Sequence, residues 1–180
     1  TTLEEAEELY SLQKKNNLIF AVTYTYTGYP MVRHMKKLIS DGVIGEIQKV
    51  DLGTGAVSSL YTHCKGEPLK GPNDIVFDKQ GGFWFTDHGK TRARSRDRGG
   101  LYYAKADGSE IKEMAFPLDG PNGVGLSPDG DRVYVAETHQ GTILYWELSG
   151  EGELASSPHG RFLARPAGRK LFDSLAMDAE

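Results

Sequence analysis

Cysteine is almost missing from this sequence: Cys64 stands alone, which excludes an intrachain disulfide and a cysteine-built zinc site. Positive charge is not in excess either. Lys and Arg number 21 against 25 Asp and Glu, a net charge of −4, so neither nucleic acid nor an anionic membrane surface is an expected partner. No apolar run reaches the roughly 18 residues of a membrane helix, and the opening TTLEEAEELY lacks the basic-then-apolar profile of a signal peptide. A soluble protein is expected, with its compartment undecided. The first residue is not Met, which fits processing or a piece of a longer chain. With 38% apolar and 26% charged residues, the composition is that of an ordinary globular chain able to build a core.

Glycine is scarce only in the first part. Of 22 glycines, Gly28, Gly42 and Gly45 fall in residues 1–50 and 19 follow, so the chain divides into two kinds of architecture near residue 50. Thr2 and Glu5 have capping-box spacing, and Leu3, Ala6, Leu9, Tyr10 and Leu12 form a helical stripe, which predicts a helix over 3–15. LIFAVTYTY (18–26) reads as a strand. Pro30 opens a second helix carrying Met31, Met35, Leu38 and Ile39, and Glu46–Leu52 supplies a further strand. Residues 1–50 thus read as a short α/β segment.

After residue 50, strands of four to eight residues alternate with Gly, Pro and Asp turns. PNDIVFDKQGGFWFTD (72–87) repeats as PNGVGLSPDGDRVYVAE (121–137), with Asn73 and Asn122 49 residues apart. GLYYAKA (100–106) matches TILYWEL (142–148), and FDSLAMDAE (172–180) begins a third copy. Four short strands in about 50 residues is close to a propeller blade period. The fold class expected is mainly β: a partial, about half, β-propeller preceded by the α/β segment. Closure takes at least about four blades, so this ring stays open, and self-association through open blade edges is expected.

GPNDIVFD, GGFWFTDHGK, GGLYYAKADG, DGPNGVGLSPDG and DSLAMDAE, in order over about 51–180, strongly resemble the gluconolactonase, senescence-marker-protein and luciferin-regenerating-enzyme family. That resemblance implies a six-bladed propeller with a divalent metal, usually Ca2+, on its axis, and hydrolysis of a small-molecule sugar lactone. By motif, Asn122 in PNG resembles the Asn ligand, Asp173 in DSLA the Asp ligand and Asn73 in PND a second Asn at the metal or substrate. No residue matches the family's first-blade Glu ligand, and Gly71 stands where some members carry a substrate-contacting Arg. The expected function is a calcium-dependent hydrolase of the gluconolactonase type, impaired in this chain, acting in carbohydrate metabolism.

The residues support that chemistry independently. A hard cation takes oxygen ligands, and the starts of successive inner strands converge near a propeller axis, where Asn73, Asn122 and Asp173 all lie. A metal there would polarise a lactone carbonyl while Asp173 takes a proton from the attacking water. The plainer alternative is that each residue only caps a turn. Three at equivalent starts favour the site.

Residues His88–Arg98 hold Lys90, Arg92, Arg94, Arg96 and Arg98 against Asp97, a run that could hold an acidic sugar but reads first as a solvated loop. GTGAVS (53–58) reads as a turn rather than a dinucleotide loop. His63, His88, His139 and Cys64 have no metal-ligand spacing, so buried or turn roles are expected.

Residues 1–50 resemble the glucose-fructose oxidoreductase and inositol dehydrogenase family, at the end of its nucleotide-binding domain. The family's Gly-rich loop and catalytic Lys motif are absent, so no cofactor residue is implied. The chain reads as two joined enzyme fragments meeting near Val50–Asp51. The competing functions are therefore an NAD(P)-dependent sugar oxidoreductase fragment and a non-catalytic half-propeller interaction module.

Overall fold

A computed structural model describes residues 45–155, 158–168 and 170–178, in which every regular element is a strand. The two helices expected over 3–15 and after Pro30, and the strand at 18–26, lie outside the described residues. Among those residues no helix is long and apolar enough to cross a membrane.

Strand β1 (Ile47–Val50) pairs antiparallel with β2 (Val57–Tyr61). The GTGAVS stretch between them is a turn, as expected: the Asp51 carboxylate accepts the backbone N–H groups of Gly53 (3.0 Å) and Thr54 (2.7 Å). A two-residue ribbon, β3 (His63–Cys64) with β4 (Glu67–Pro68), leads into the first full blade.

That blade is the four-stranded meander β5 (Pro72–Phe77), β6 (Gly82–Asp87), β7 (Gly99–Lys105) and β8 (Ile111–Leu118). The second repeats it with β9 (Pro121–Leu126), β10 (Arg132–Glu137), β11 (Thr142–Gly150) and, after the short β12 (Glu153–Leu154), β13 (Arg161–Ala164). The register confirms the repeat residue by residue. Trp84 faces Tyr103 across β6 and β7, and Tyr134 faces Tyr145 across β10 and β11. The inner hairpins also turn alike. Asp78 accepts N–H bonds from Gln80 and Gly82 with Gly81 at φ +92°, while the Ser127 hydroxyl accepts those of Asp131 and Arg132 with Gly130 at φ +75°.

Every residue of β6 is buried because both faces of its blade are covered. Alternation sends Trp84 one way, with Leu101 and Tyr103, against Val124, Val133, Val135 and Trp146 of the second blade. Phe83, Phe85, Tyr102 and Ala104 go the other way, onto Tyr61, Cys64 and Leu69. Cys64 is therefore a core residue, as its sequence context suggested.

Other apolar side chains remain open to solvent among the described residues. Ile75 (43% exposed) and Phe77 (61%) flank one blade, and Phe162 (62%) lies on β13. Apolar faces of this kind are contact surfaces. Sedimentation of the purified chain is therefore expected to show species above the monomer, shifted towards the monomer by Phe77→Lys with Phe162→Lys. A monomer at all concentrations in the unmodified chain would contradict this.

Candidate functional site

Thr86, buried at the end of β6, stitches the two inner strands together. Its hydroxyl donates to the Asn122 carbonyl and accepts the Asp74 backbone N–H (3.3 Å), while the Asp74 carboxylate accepts the Val124 N–H (3.2 Å). On the far side of β9, the Gly123 N–H donates to the Asp173 carbonyl at 3.0 Å. A Cβ at Gly123 would lie 2.4 Å from the Leu175 nitrogen, so glycine is what allows the 173–175 segment this close. Residues 172–178 of the third repeat copy thus lie against β9 without forming a strand of their own. Thr86 links the starts of β5 and β9, and the Gly123 N–H links β9 to Asp173.

Their side chains differ in environment. Asn122 is buried at 7% exposure; its amide donates to the Thr138 hydroxyl (3.1 Å), which in turn donates to the Phe172 carbonyl (2.8 Å). Its Oδ1 is buried with no hydrogen-bond partner, an arrangement that costs about 1–3 kcal/mol unless something outside the protein accepts contact there. Asp173 is exposed, and among the described residues its carboxylate has no ion-pair partner. Asn73 is exposed and lines a pocket of about 520 Å³ with Lys70, His88, Lys90 and Arg92.

No cluster of three or more His, Cys, Asp or Glu that could hold a metal occurs among the described residues. A cation at this place would therefore rely on amide oxygens beside the single carboxylate of Asp173. The orphaned Asn122 Oδ1 suits a hard cation in chemical kind.

Two acids with clear structural duties escaped the sequence reading. Asp87 ends β6 and takes three backbone N–H bonds, from Lys70 (2.7 Å), Gly71 (2.7 Å) and Gly89 (2.9 Å). Glu137, its repeat equivalent at the end of β10, accepts the Asp119 N–H and the Thr142 hydroxyl, both at 2.7 Å. The signal was present, since both positions close an apolar strand with an acid 50 residues apart.

The basic connection after β6 is exposed over residues 90–96 and at Arg98, as its charge run suggested, but several of its arginines are paired. Arg92 makes a two-pronged bond to Asp97 (2.9 and 3.2 Å), which holds the Asp97 carboxyl below its ordinary range. Arg96 bonds Asp119 Oδ2 at 2.9 Å, shared with Gln140 (2.8 Å), and Arg98 lies 3.3 Å from Asp119 Oδ1 without hydrogen-bond alignment. The Asp119 side chain is only 5% exposed. Charge runs usually face water because their partners do. Here the partner is a buried acid more than twenty residues away, which run statistics cannot register.

Asp119→Ala is expected to cost about 1–2 kcal/mol, discounted because both arginines are half exposed, and to speed tryptic cleavage after Arg94 and Arg96 several-fold. An unchanged cleavage rate would mean that the clamp does not hold the connection.

Beside this clamp, His88 and His139 meet edge to face, with ring centroids 5.3 Å apart, over Gly120. A Cβ at Gly120 would sit 2.5 Å from the His139 ring, and Gly120 has φ +69°. Burial, with Arg96 and His88 nearby, holds the His139 imidazole below its ordinary range.

Four-stranded antiparallel meanders stacked face to face, with acid-anchored inner strands, define the blades of a β-propeller. The chain belongs to the SMP-30/Gluconolactonase/LRE-like family, whose sequence model matches residues 9–180. It is 30% identical over 142 residues to a gluconolactonase of Zymomonas mobilis, covering 75% of this chain and 39% of that one. It is 31% identical over 110 residues to the lactonase drp35 of Staphylococcus haemolyticus, covering 60% and 33%. Among solved structures, a gluconolactonase from Xanthomonas campestris superposes with a TM-score of 0.59 at 26% identity, over 75% of this chain and 46% of that one. The chain therefore spans less than half the length of these relatives. None of these matches supports the oxidoreductase resemblance of residues 1–50, and the family match begins at residue 9, inside that stretch.

Proposed function

We propose that this chain carries part of a lactone hydrolase that opens sugar lactones with water, with Asp173 as proton acceptor. Asn122, Asp173 and Asn73 are the residues that would hold Ca2+ or another divalent cation. The single observation carrying this reading is the buried Asn122 Oδ1, which lacks a protein partner on the inner strand next to Asp173. When bound there, a hard cation supplies Lewis acidity to a carbonyl oxygen.

The chain's own part is positioning and proton transfer. Thr138 fixes the Asn122 amide so that its oxygen, and not its nitrogen, is the free end. The exposed Asp173 carboxylate accepts the proton of water as the water oxygen bonds to the lactone carbonyl carbon. The ring C–O bond then breaks, and the same proton, returned from Asp173, neutralises the leaving alkoxide. Asn73, at the neighbouring strand start, faces metal or substrate.

Two neutral amides with one carboxylate make a weak site, so calcium affinity is expected near ~10⁻⁴–10⁻³ M by calorimetry. Tight stoichiometric binding would mean that another carboxylate joins the set. The activity itself is tested by following acid release from glucono-1,5-lactone above its spontaneous rate, with calcium and with chelator. Hydrolysis that is indifferent to chelation, or absent at millimolar calcium, would defeat the proposal.

A further inference from the structure

The pocket beside Asn73 carries a charge pattern that neutral sugar recognition does not need. Its lining residues are Lys70, Gly71, Pro72, Asn73, His88, Gly89, Lys90, Thr91 and Arg92, with no acid among them. Two carboxylates border it: Asp87 is buried with its oxygens taken by the backbone N–H groups of Lys70, Gly71 and Gly89, and Asp97 is engaged by Arg92 and the Lys90 N–H and lies close enough to feel the Lys70 charge.

The wall of this pocket is a built structure. Within the connection, the Asp97 N–H donates to the Lys90 carbonyl (3.0 Å), the Lys90 N–H to the Asp97 carboxylate (3.1 Å), and the Arg92 N–H to the Ser95 carbonyl (2.7 Å). Thr91 and Arg96 form a bridge, and Asp119 anchors Arg96 and Arg98 from beneath. Asp97 satisfies Arg92. Two cations lining the pocket, Lys70 and Lys90, are left with no ion-pair partner among the described residues.

Across the repeat, Lys70 occupies the place that Asp119 holds in the second blade, in K-G-P-N against D-G-P-N. The acid of the second blade is used up in a clamp, while the lysine of the first lines an open surface pocket. Lys70, Lys90, Arg92 and His88 line one pocket, and an anion there meets an excess of positive charge.

We propose that this pocket receives an anionic group, a carboxylate or a phosphate, carried by the sugar lactone at a position away from the ring being opened. The inference rests on the lactonase reading for its substrate class but not for the pocket itself. Lys70 and Lys90 are then specificity residues, and Asp119 a positioning residue that holds the connection carrying Lys90.

The test titrates the ¹⁵N-labelled chain with glucarate and with 6-phosphogluconate, using neutral glucitol as reference, and reads the amide shifts of Gly71, Gly89 and Lys90. Both anions are expected to move these amides, less so at high salt, and glucitol to leave them in place. Lys70→Gln with Lys90→Gln, both at exposed positions, is expected to weaken anion binding about tenfold while an unchanged thermal melt shows that the fold is kept. The two anions compared with each other tell carboxylate from phosphate. In parallel, the ratio of kcat/KM for glucarolactone over glucono-1,5-lactone is expected to fall by a similar factor in the double variant. Anion binding in a chain that hydrolyses no lactone would overturn the lactonase reading and leave the pocket assignment standing. Hydrolysis of the neutral lactone without anion shifts at these amides, or equal binding by the double variant, would overturn the pocket assignment alone.

Discussion

Asp173→Asn is expected to lower lactone hydrolysis by about 10²–10⁴-fold, the usual worth of a positioned proton acceptor. The substitution keeps shape and turn-forming capacity while removing charge and basicity. Its effect on folding is expected to stay within about 0.5 kcal/mol, because the Asp173 side chain is exposed and the bond that docks this segment is made by its backbone carbonyl to the Gly123 N–H. The assay and a thermal melt, run on the same preparation, separate chemistry from folding. Asn122→Ala should instead raise the calcium needed for activity, since it removes the orphaned oxygen and not the base, and Asn73→Ala should act on metal or substrate positioning. If Asp173→Asn kept full calcium-dependent activity, the three residues would revert to turn caps.

Trp84→Ala carries the largest expected stability loss, about 3–5 kcal/mol. The indole is 1% exposed, lies 5.1 Å from the Tyr103 ring, and belongs to the cluster that joins the first blade to Val133, Val135 and Trp146 of the second. Tyr103 is itself tied by its hydroxyl to Asp78 (2.8 Å) and Glu151 (3.2 Å), so the surroundings cannot easily collapse into the space left by the ring. Urea denaturation followed by tryptophan fluorescence of Trp146 reads the result. A loss below about 1 kcal/mol would mean that the two blades do not share this core.

Blade architecture was readable because strand alternation and turn chemistry are local. The 72–87 and 121–137 copies specify which residues face each other, and the Trp84–Tyr103 and Tyr134–Tyr145 pairs follow from the register that a meander imposes. Asn73, Asn122 and Asp173 hold equivalent repeat positions in the sequence, and the Gly123–Asp173 backbone bond joins the second of these strand starts to the third copy. Residues 172–178, in contrast, pack against β9 at Gly123 and Gly125 without a ladder, because hydrogen bonding there depends on neighbours that local pattern does not include.

The basic connection marks the limit of local reading. Five cations and one acid within eleven residues suggest a hydrated loop, and residues 90–96 are exposed, but the run itself does not show that Arg96 and Arg98 reach the buried Asp119. By itself, then, the sequence determined the strand periodicity, the hairpin turns, the blade repeat and the residue types available for chemistry. Tertiary structure alone decided which of those groups are left over: the Asn122 Oδ1 without a donor, and Lys70 and Lys90 without an acid. The physical reason is that hydrogen bonding and ion pairing are settled by approach in space, and a group becomes available for a ligand only when every protein partner that could reach it is either engaged elsewhere or held away.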